Sequence, residues 1–525
     1  MDKLPKFVQR ILLLLLTALL LFCIAGVVNR MNAIREIEGL TDTSIPENAP
    51  PVVAFTTVAL GSFRGLVADF LWLRSEKAKD DGNYFEMVQL ASWIVKLQPR
   101  FTEATAYLAW NMSYNVSVTF QDFEDRWRWV QRGIELIRDE ALAYNPGDPV
   151  LFKELGWIYQ HKLGEEMDDA NRYYKVQLAK DMMNVLGGWP VDWKELAAAP
   201  PNPAALFEQL GDESTAELKR ILTERDLGLA GLEAAFRETS SFPEDLAPVL
   251  AEADLARPIE LYFRQRWLKQ VKKLDAGLIL EINQRYGDLD WRLPEAHALY
   301  WATRGMQAAE GEINLACERM IFQSLANAYR GGRMILVEES NIMEITPNLN
   351  IVDAVSEQYE ETIERHSENV GVRSGYQNFL IDATVNLYIF GRTDKAAEYF
   401  KKLRGKYPSA RNRVPLNRFV LRELAGDIQN ATFDQGQSIV QGYLIQMYQA
   451  LALGDVERGE ALEGLARDIW KRYMQDASGS DERRALPPYN QMKKNMYERC
   501  QNTFSPVMRQ RLTQAARAYG ALPEE

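Results

Sequence analysis

The chain has 525 residues, 47% of them hydrophobic and 26% charged, with 73 acidic against 61 basic side chains and a net charge of −12. Such a composition is that of a folded protein and excludes wholesale disorder; the acidic balance argues against nucleic acid as a partner, because phosphate contacts need a surplus of Lys and Arg. Three cysteines exclude a disulfide scaffold, and three histidines argue against a His-rich metal site.

Residues 1–10 carry Lys3, Lys6 and Arg10 and read as a cytoplasmic N-terminus. Residues 11–28, ILLLLLTALLLFCIAGVV, contain no charge. As a helix they would span about 27 Å, close to the ~30 Å hydrocarbon core of a bilayer. Arg30 and Arg35 follow the run but are outnumbered by Glu36, Glu38, Asp42 and Glu47, so the positive-inside tendency keeps the N-terminus in the cytoplasm. A cleaved signal peptide is the alternative, but the run is longer than the usual apolar region and no clean small-x-small site follows it. Phe22 before Cys23 argues against a lipoprotein. The expectation is a single-pass signal anchor in the inner (cytoplasmic) membrane, with the bulk of the chain extracytoplasmic or periplasmic. Residues 29–58, with Pro46, Pro50 and Pro51, form a stiff linker.

From residue 59 the pattern is helix after helix, broken by Gly, Pro and Asn at intervals that suit short antiparallel helices. A fixed-period self-similarity runs through it. Residues 391–408 read GRTDKAAEYFKKLRGKYP, with Gly391 at a turn, then Ala396, Phe400, Leu403 and Pro408. Residues 82–99 read GNYFEMVQLASWIVKLQP, and Gly82 and Pro99 have the same separation. Between them, DPVLFKELGWIY places Phe152, Leu155, Gly156 and Tyr159 on one helix after Pro146. A weaker fourth copy, LGDVERGEALEGLARDIW, has Gly454 at the turn and Gly459 and Ala466 as small residues.

These residues resemble the tetratricopeptide repeat, whose first helix carries a bulky residue, a bulky–small pair and an aromatic, and whose second carries a small residue, an aromatic and a closing proline. Phe152, Leu155, Gly156 and Tyr159 match the first helix; Gly391, Ala396, Phe400 and Pro408 match the turn and second helix. The copies depart from the pattern in places. Met87 takes the small site and Ala91 the aromatic one, and the unit from residue 149 ends at Gly187-Gly188-Trp189-Pro190. The whole chain also resembles uncharacterised membrane-anchored repeat proteins of bacteria.

The resemblance implies an all-α fold, a helical-hairpin solenoid behind one N-terminal transmembrane helix. Repeats would occupy 59–189 and 294–475, with a helical insert or hinge at 190–293, which opens on the proline-rich AAAPPNPAA, and a loop with capping helices at 476–525. Pro294 is placed as the first residue of a helix, and Ser505 and Pro506 start the last one, whose Met508, Leu512, Ala515 and Tyr519 share a face. The resemblance further implies a concave groove lined by first helices. Its candidate residues are Lys153, Trp157, Gln160 and His161, and in the first repeat Trp72, Glu76 and Lys79. Aromatic residues with mixed charge suit a peptide segment or a partner helix.

No phosphate-cradling glycine loop, HExxH, GxSxG or paired CxxC is present. His161, His297 and His366 read as surface or groove histidines, and Trp93, Trp110 and Trp157 as packing residues within helix pairs. No carboxylate stands isolated on an apolar face, as an acid with a raised pKa would. Cys317 and Cys500 leave open whether they pair. The expected function is a membrane-anchored, non-enzymatic scaffold with other proteins as partners, no cofactor and no metal. Two alternatives remain: a dedicated subunit of a secretion, pilus or envelope-assembly complex, and an α/α-barrel enzyme acting on glycans through a carboxylate pair.

Overall fold

A computed structural model describes residues 63–165, 168–309, 311–337, 342–425, 433–477 and 486–519, with scattered positions between Thr17 and Ile34. The fold is all-α. Among the described residues no helix is long and apolar enough to cross a membrane. A crossing needs about 20 consecutive apolar residues in one helix, so this finding overturns the single-pass inner-membrane placement; most of the 11–28 run lies outside the described residues.

The chain divides into two compact units, Met1–Phe101 with Ala143–Pro146, and Thr102–Leu142 with Gly147–Glu525. In the first, α1 (Phe63–Asp80) and α2 (Tyr84–Leu97) form an antiparallel pair. The turn between them is built on Gly82 at φ 72°, with the Asn83 N–H donating to the Ala78 carbonyl five residues back. The turns at Gly391 (φ 73°) and Gly454 (φ 83°) repeat this geometry, with Arg392 N–H to Leu387 O and Asp455 N–H to Ala450 O. Only a residue tolerant of a left-handed backbone can end a helix this way, which is why glycine recurs at all three. The closing prolines act alike too: Gln98 (φ −129°, ψ 65°) and Tyr407 (φ −132°, ψ 64°) precede them in nearly the same non-helical conformation.

The second unit opens with α3 (Thr102–Trp110), which continues as a wider π-helical stretch to Val116, and α4 (Phe123–Glu135), which does the same to Ala141. They approach closely at Gly133, where an added Cβ would lie 2.7 Å from the Ala109 carbonyl oxygen. Next comes α5 (Pro149–Trp157), capped by the Asp148 carboxylate and prolonged as a π-helix to Gly164. The chain then runs through α6 (Asn171–Leu186) into a helical segment: α7 (Trp193–Ala197), α8 (Pro203–Thr223), α9 (Leu229–Thr239), α10 (Ala247–Glu252), α11 (Ala256–Trp267) and α12 (Ala276–Tyr286). Much of that segment packs around its own core of Leu206, Leu218, Leu232, Phe236, Leu250 and Phe263.

Pro294 occupies the first turn of α13 (Pro294–Ala308), which turns back into α14 (Gly311–Gly331). The rear of α5 packs on α13 rather than on the helix that follows it in sequence. Phe152 stacks on Trp301 at 6.0 Å and Tyr159 on His297 at 4.9 Å, so the two helices run antiparallel. Residues 165–293 therefore stand between two helices that pack as one pair. Gly156 sits at their closest approach, where a Cβ would meet the Met320 sulfur at 2.6 Å and the Ala298 carbonyl oxygen at 3.3 Å.

After α14 the uninterrupted helical expectation fails. Strands β1 (Arg333–Val337) and β2 (Ile342–Thr346) form an antiparallel hairpin with Arg333 opposite Thr346. Met334 and Met343 bury its inner face against Val176, Ala179 and Leu293. Then follow α15 (Val352–Arg365), α16 (Val370–Ile389), α17 (Thr393–Lys406), α18 (Leu416–Ala425), α19 (Phe433–Ala452), α20 (Val456–Ala477), α21 (Tyr489–Thr503) and α22 (Pro506–Ala518). The last four share a core that includes Leu444, Tyr448, Ala466 and Ile469. Ser505 caps α22, but its buried face is Met508, Leu512 and Ala516, one position off the expected Ala515, and the expected Tyr519 is exposed. Cys317 and Cys500 are free and buried, and burial pushes each thiol up to about 11.

Candidate functional site

A cavity of about 950 Å³ in the second unit is lined by α5 with its π-helical extension, α14 and α16, with Tyr359 added from α15. Their relative direction follows from side-chain contacts. Gln160 donates to the Met320 carbonyl and to Ser324 Oγ. On the other side of α14, Glu318 holds His366, just ahead of α16, while Tyr329 and Arg330 reach Ala383 and Asp382. α14 and α16 are thus parallel, with α15 antiparallel behind them: Phe322 packs on Tyr359 at 4.7 Å and Thr362 donates to Glu318.

Met320, Phe322, Val372 and Tyr359 make an apolar floor, and Ala326, Gly371 and Gly375 keep it shallow. Lys153, Glu154, Glu165, Arg319, Gln323 and Asn378 rim it. An apolar floor with a polar rim is the anatomy of a protein-binding surface.

Of the candidate groove residues, Lys153, Trp157, Gln160 and His161 line this cavity. Gln160 is buried there as a clamp between α5 and α14 rather than offered to a ligand. Trp72, Glu76 and Lys79 belong to the first unit. Trp72 lines a separate cleft of about 360 Å³ with Ile94 and Phe101, and Glu76 is ion-paired with Lys79 at 2.6 Å. The repeat-packing residues Phe152, Leu155, Tyr159, Ala396 and Phe400 are buried, and Gly391 and Pro408 bracket α17.

Three tryptophans depart from their expected packing role. Trp93, Trp110 and Trp157 are 48%, 37% and 36% exposed, whereas Trp127, Trp129, Trp193, Trp291 and Trp301 are buried. Trp110 and Trp157 belong to a ladder of rings: Tyr107 on Trp110 (6.3 Å), Trp110 on Tyr114 (5.6 Å), Tyr114 on His161 (5.7 Å), His161 on Trp157 (4.6 Å). The spacings 107–110–114 and 157–161 are one helical turn each, which carries one ring above the next. Tyr114 and His161 both fall in the π-helical stretches, a backbone form that often accompanies functional sites.

Two polar side chains also overturn sequence expectations. His297 is 2% exposed, with Nε2 donating to the Trp291 carbonyl at 3.0 Å. Burial lowers its pKa from 6.5 to about 4, against the opposing effect of the carbonyl bond. The unfolded chain therefore binds a proton that the folded chain refuses. Stability from this residue is fully present above pH 6.5 and is lost as pH falls toward 4, by about 3 kcal/mol in all. Urea midpoints measured across that window should fall more steeply for the parent chain than for His297→Gln; equal slopes would remove His297 as the cause. Glu295 is the buried acid that sequence patterning missed. Burial raises its pKa, nearby Lys175 opposes the shift, and Oε2 has no hydrogen-bond partner among the described residues. In the first turn of α13 a glutamate reads as an ordinary dipole-complementing residue, which hid it.

Among the described residues no group of three or more His, Cys, Asp or Glu could hold a metal ion. No protein family matches the chain, and no curated protein matches it in sequence.

Proposed function

We propose that the chain is a tetratricopeptide-like helical solenoid that works as a non-enzymatic, cofactor-free scaffold, holding a segment of a partner protein in the groove between α5, α14 and α16. The observation that carries this reading is the groove itself: parallel helices presenting an apolar floor, small residues that permit close approach, and an exposed tryptophan at one end. The repeated glycine turns at Gly82, Gly391 and Gly454 support the repeat reading. In that frame α5 and α13 are the two helices of one repeat, and residues 165–293 are an insertion between them.

A photo-crosslinker at Lys153, part-exposed on the rim, tests the proposal in cells. The full chain should capture a protein that is lost when the groove is filled by the double substitution Gln323→Trp/Asn378→Trp. Both positions are exposed, so the fold tolerates the change. Equal capture by both chains overturns the reading.

A further inference from the structure

The α5 end of the groove differs from the rest in its chemistry. One face of Trp157 is covered by His161, their planes 13° apart, and the exposed remainder of the ring lines the cavity. Glu165 lines the same end with a side chain 45% exposed, and the nearest cation-capable atom to it is His161 Nε2 at 3.7 Å. The neighbouring lysines are engaged elsewhere: Lys153 with Glu154 at 2.5 Å, Lys162 with Asp168 at 2.5 Å. A third observation is independent of these two. The Tyr114 hydroxyl is buried with no hydrogen-bond partner among the described residues. After burial, the carboxylates of Glu154 and Glu165 are the groups that raise its pKa.

We infer that this end of the groove is a subsite for a basic side chain of the bound segment, the guanidinium of Arg or the ammonium of Lys. An indole face is the strongest aromatic partner for a cation. A carboxylate not already neutralised by a lysine adds charge-assisted hydrogen bonding at the ring's edge. An acidic side chain would meet Glu165 and be repelled. The inference rests on the groove reading above and adds the chemistry of what the groove takes.

The test pans a phage-displayed random dodecapeptide library against the full chain, then measures synthetic peptides of the selected sequences by fluorescence anisotropy. Selected peptides should share one Arg or Lys position. Replacing that residue by norleucine, or Trp157 by Ala, should each weaken binding about tenfold. Trp157→Phe should recover part of the loss, and Arg220→Gln, exposed on α8 outside the groove lining, should leave binding and the basic preference intact. Glu165→Lys should turn the selection toward Asp or Glu at the same position. Thermal melts equal to the parent show that the variants fold. Peptides displaced by Gln323→Trp/Asn378→Trp that carry no basic position and ignore Trp157→Ala and Glu165→Gln would leave the groove standing and overturn the subsite. No groove-dependent peptide at all would overturn both.

Discussion

Replacing Asp290 with Ala is expected to destabilise the fold by about 3–5 kcal/mol, the range for removing one partner of a buried ion pair. Asp290 and Arg292 are both nearly inaccessible and bridge each other through Oδ1 and Oδ2 at 2.9 and 2.7 Å. Together they hold the free edge of β1. Asp290 Oδ2 accepts from the Met334 N–H at 3.0 Å, and the Arg292 guanidinium donates to the Met334 carbonyl. Two side chains thus satisfy the backbone groups that an additional strand would otherwise have to pair. Without the carboxylate, Arg292 keeps its charge in a buried site and the Met334 N–H loses its acceptor. The double replacement Asp290→Leu/Arg292→Met should cost clearly less than Asp290→Ala, because it removes both charges together. Urea denaturation of the three chains measures this; a loss below about 1 kcal/mol for Asp290→Ala would mean that water reaches the pair.

The same device explains part of what sequence patterning could not reach. The motif DLDWRLPEAHALYWA announces a helix through Pro294, and that helix forms. Asp290 and Arg292, two residues apart, read there as an ordinary charged turn; their role appears only when β1 arrives from more than forty positions away. The hairpin was invisible because Arg333–Val337 and Ile342–Thr346 are each five residues, too short for periodicity to separate from helix. Local geometry was the legible part. Left-handed turn glycines, proline-terminated helices and the Ser505 cap are set by residues within a few positions of one another. For the groove, one of its helices could be read: Lys153, Trp157 and His161 face the cavity. Arg319, Gln323 and Asn378 were not found, since nothing in a single helix reveals which other helix will lie parallel beside it. The partner of α5 was hidden for the same reason, since a separation as long as that between 149–164 and 294–308 leaves no short-period signal in the sequence.

That pairing makes Trp301→Ala the other large expected effect, a loss of about 3–5 kcal/mol for emptying a fully enclosed aromatic site. Trp301 is 2% exposed, stacks on Phe152 of α5 and meets Tyr300 edge-on at 5.1 Å. Its indole N–H is buried without a hydrogen-bond partner among the described residues. Trp301→Phe should therefore cost less than half as much, since it keeps a ring against Phe152 while removing a polar group whose desolvation is uncompensated. The location of the damage discriminates further. Because α13 backs α5, emptying the site loosens the helix that carries Lys153, Trp157 and His161 to the groove. Amide hydrogen exchange of Trp301→Ala should accelerate more in residues 149–164 than in α17, whose turn and packing are built independently from Gly391, Ala396 and Phe400. Uniform acceleration along the chain would assign Trp301 to global stability alone and detach it from the groove.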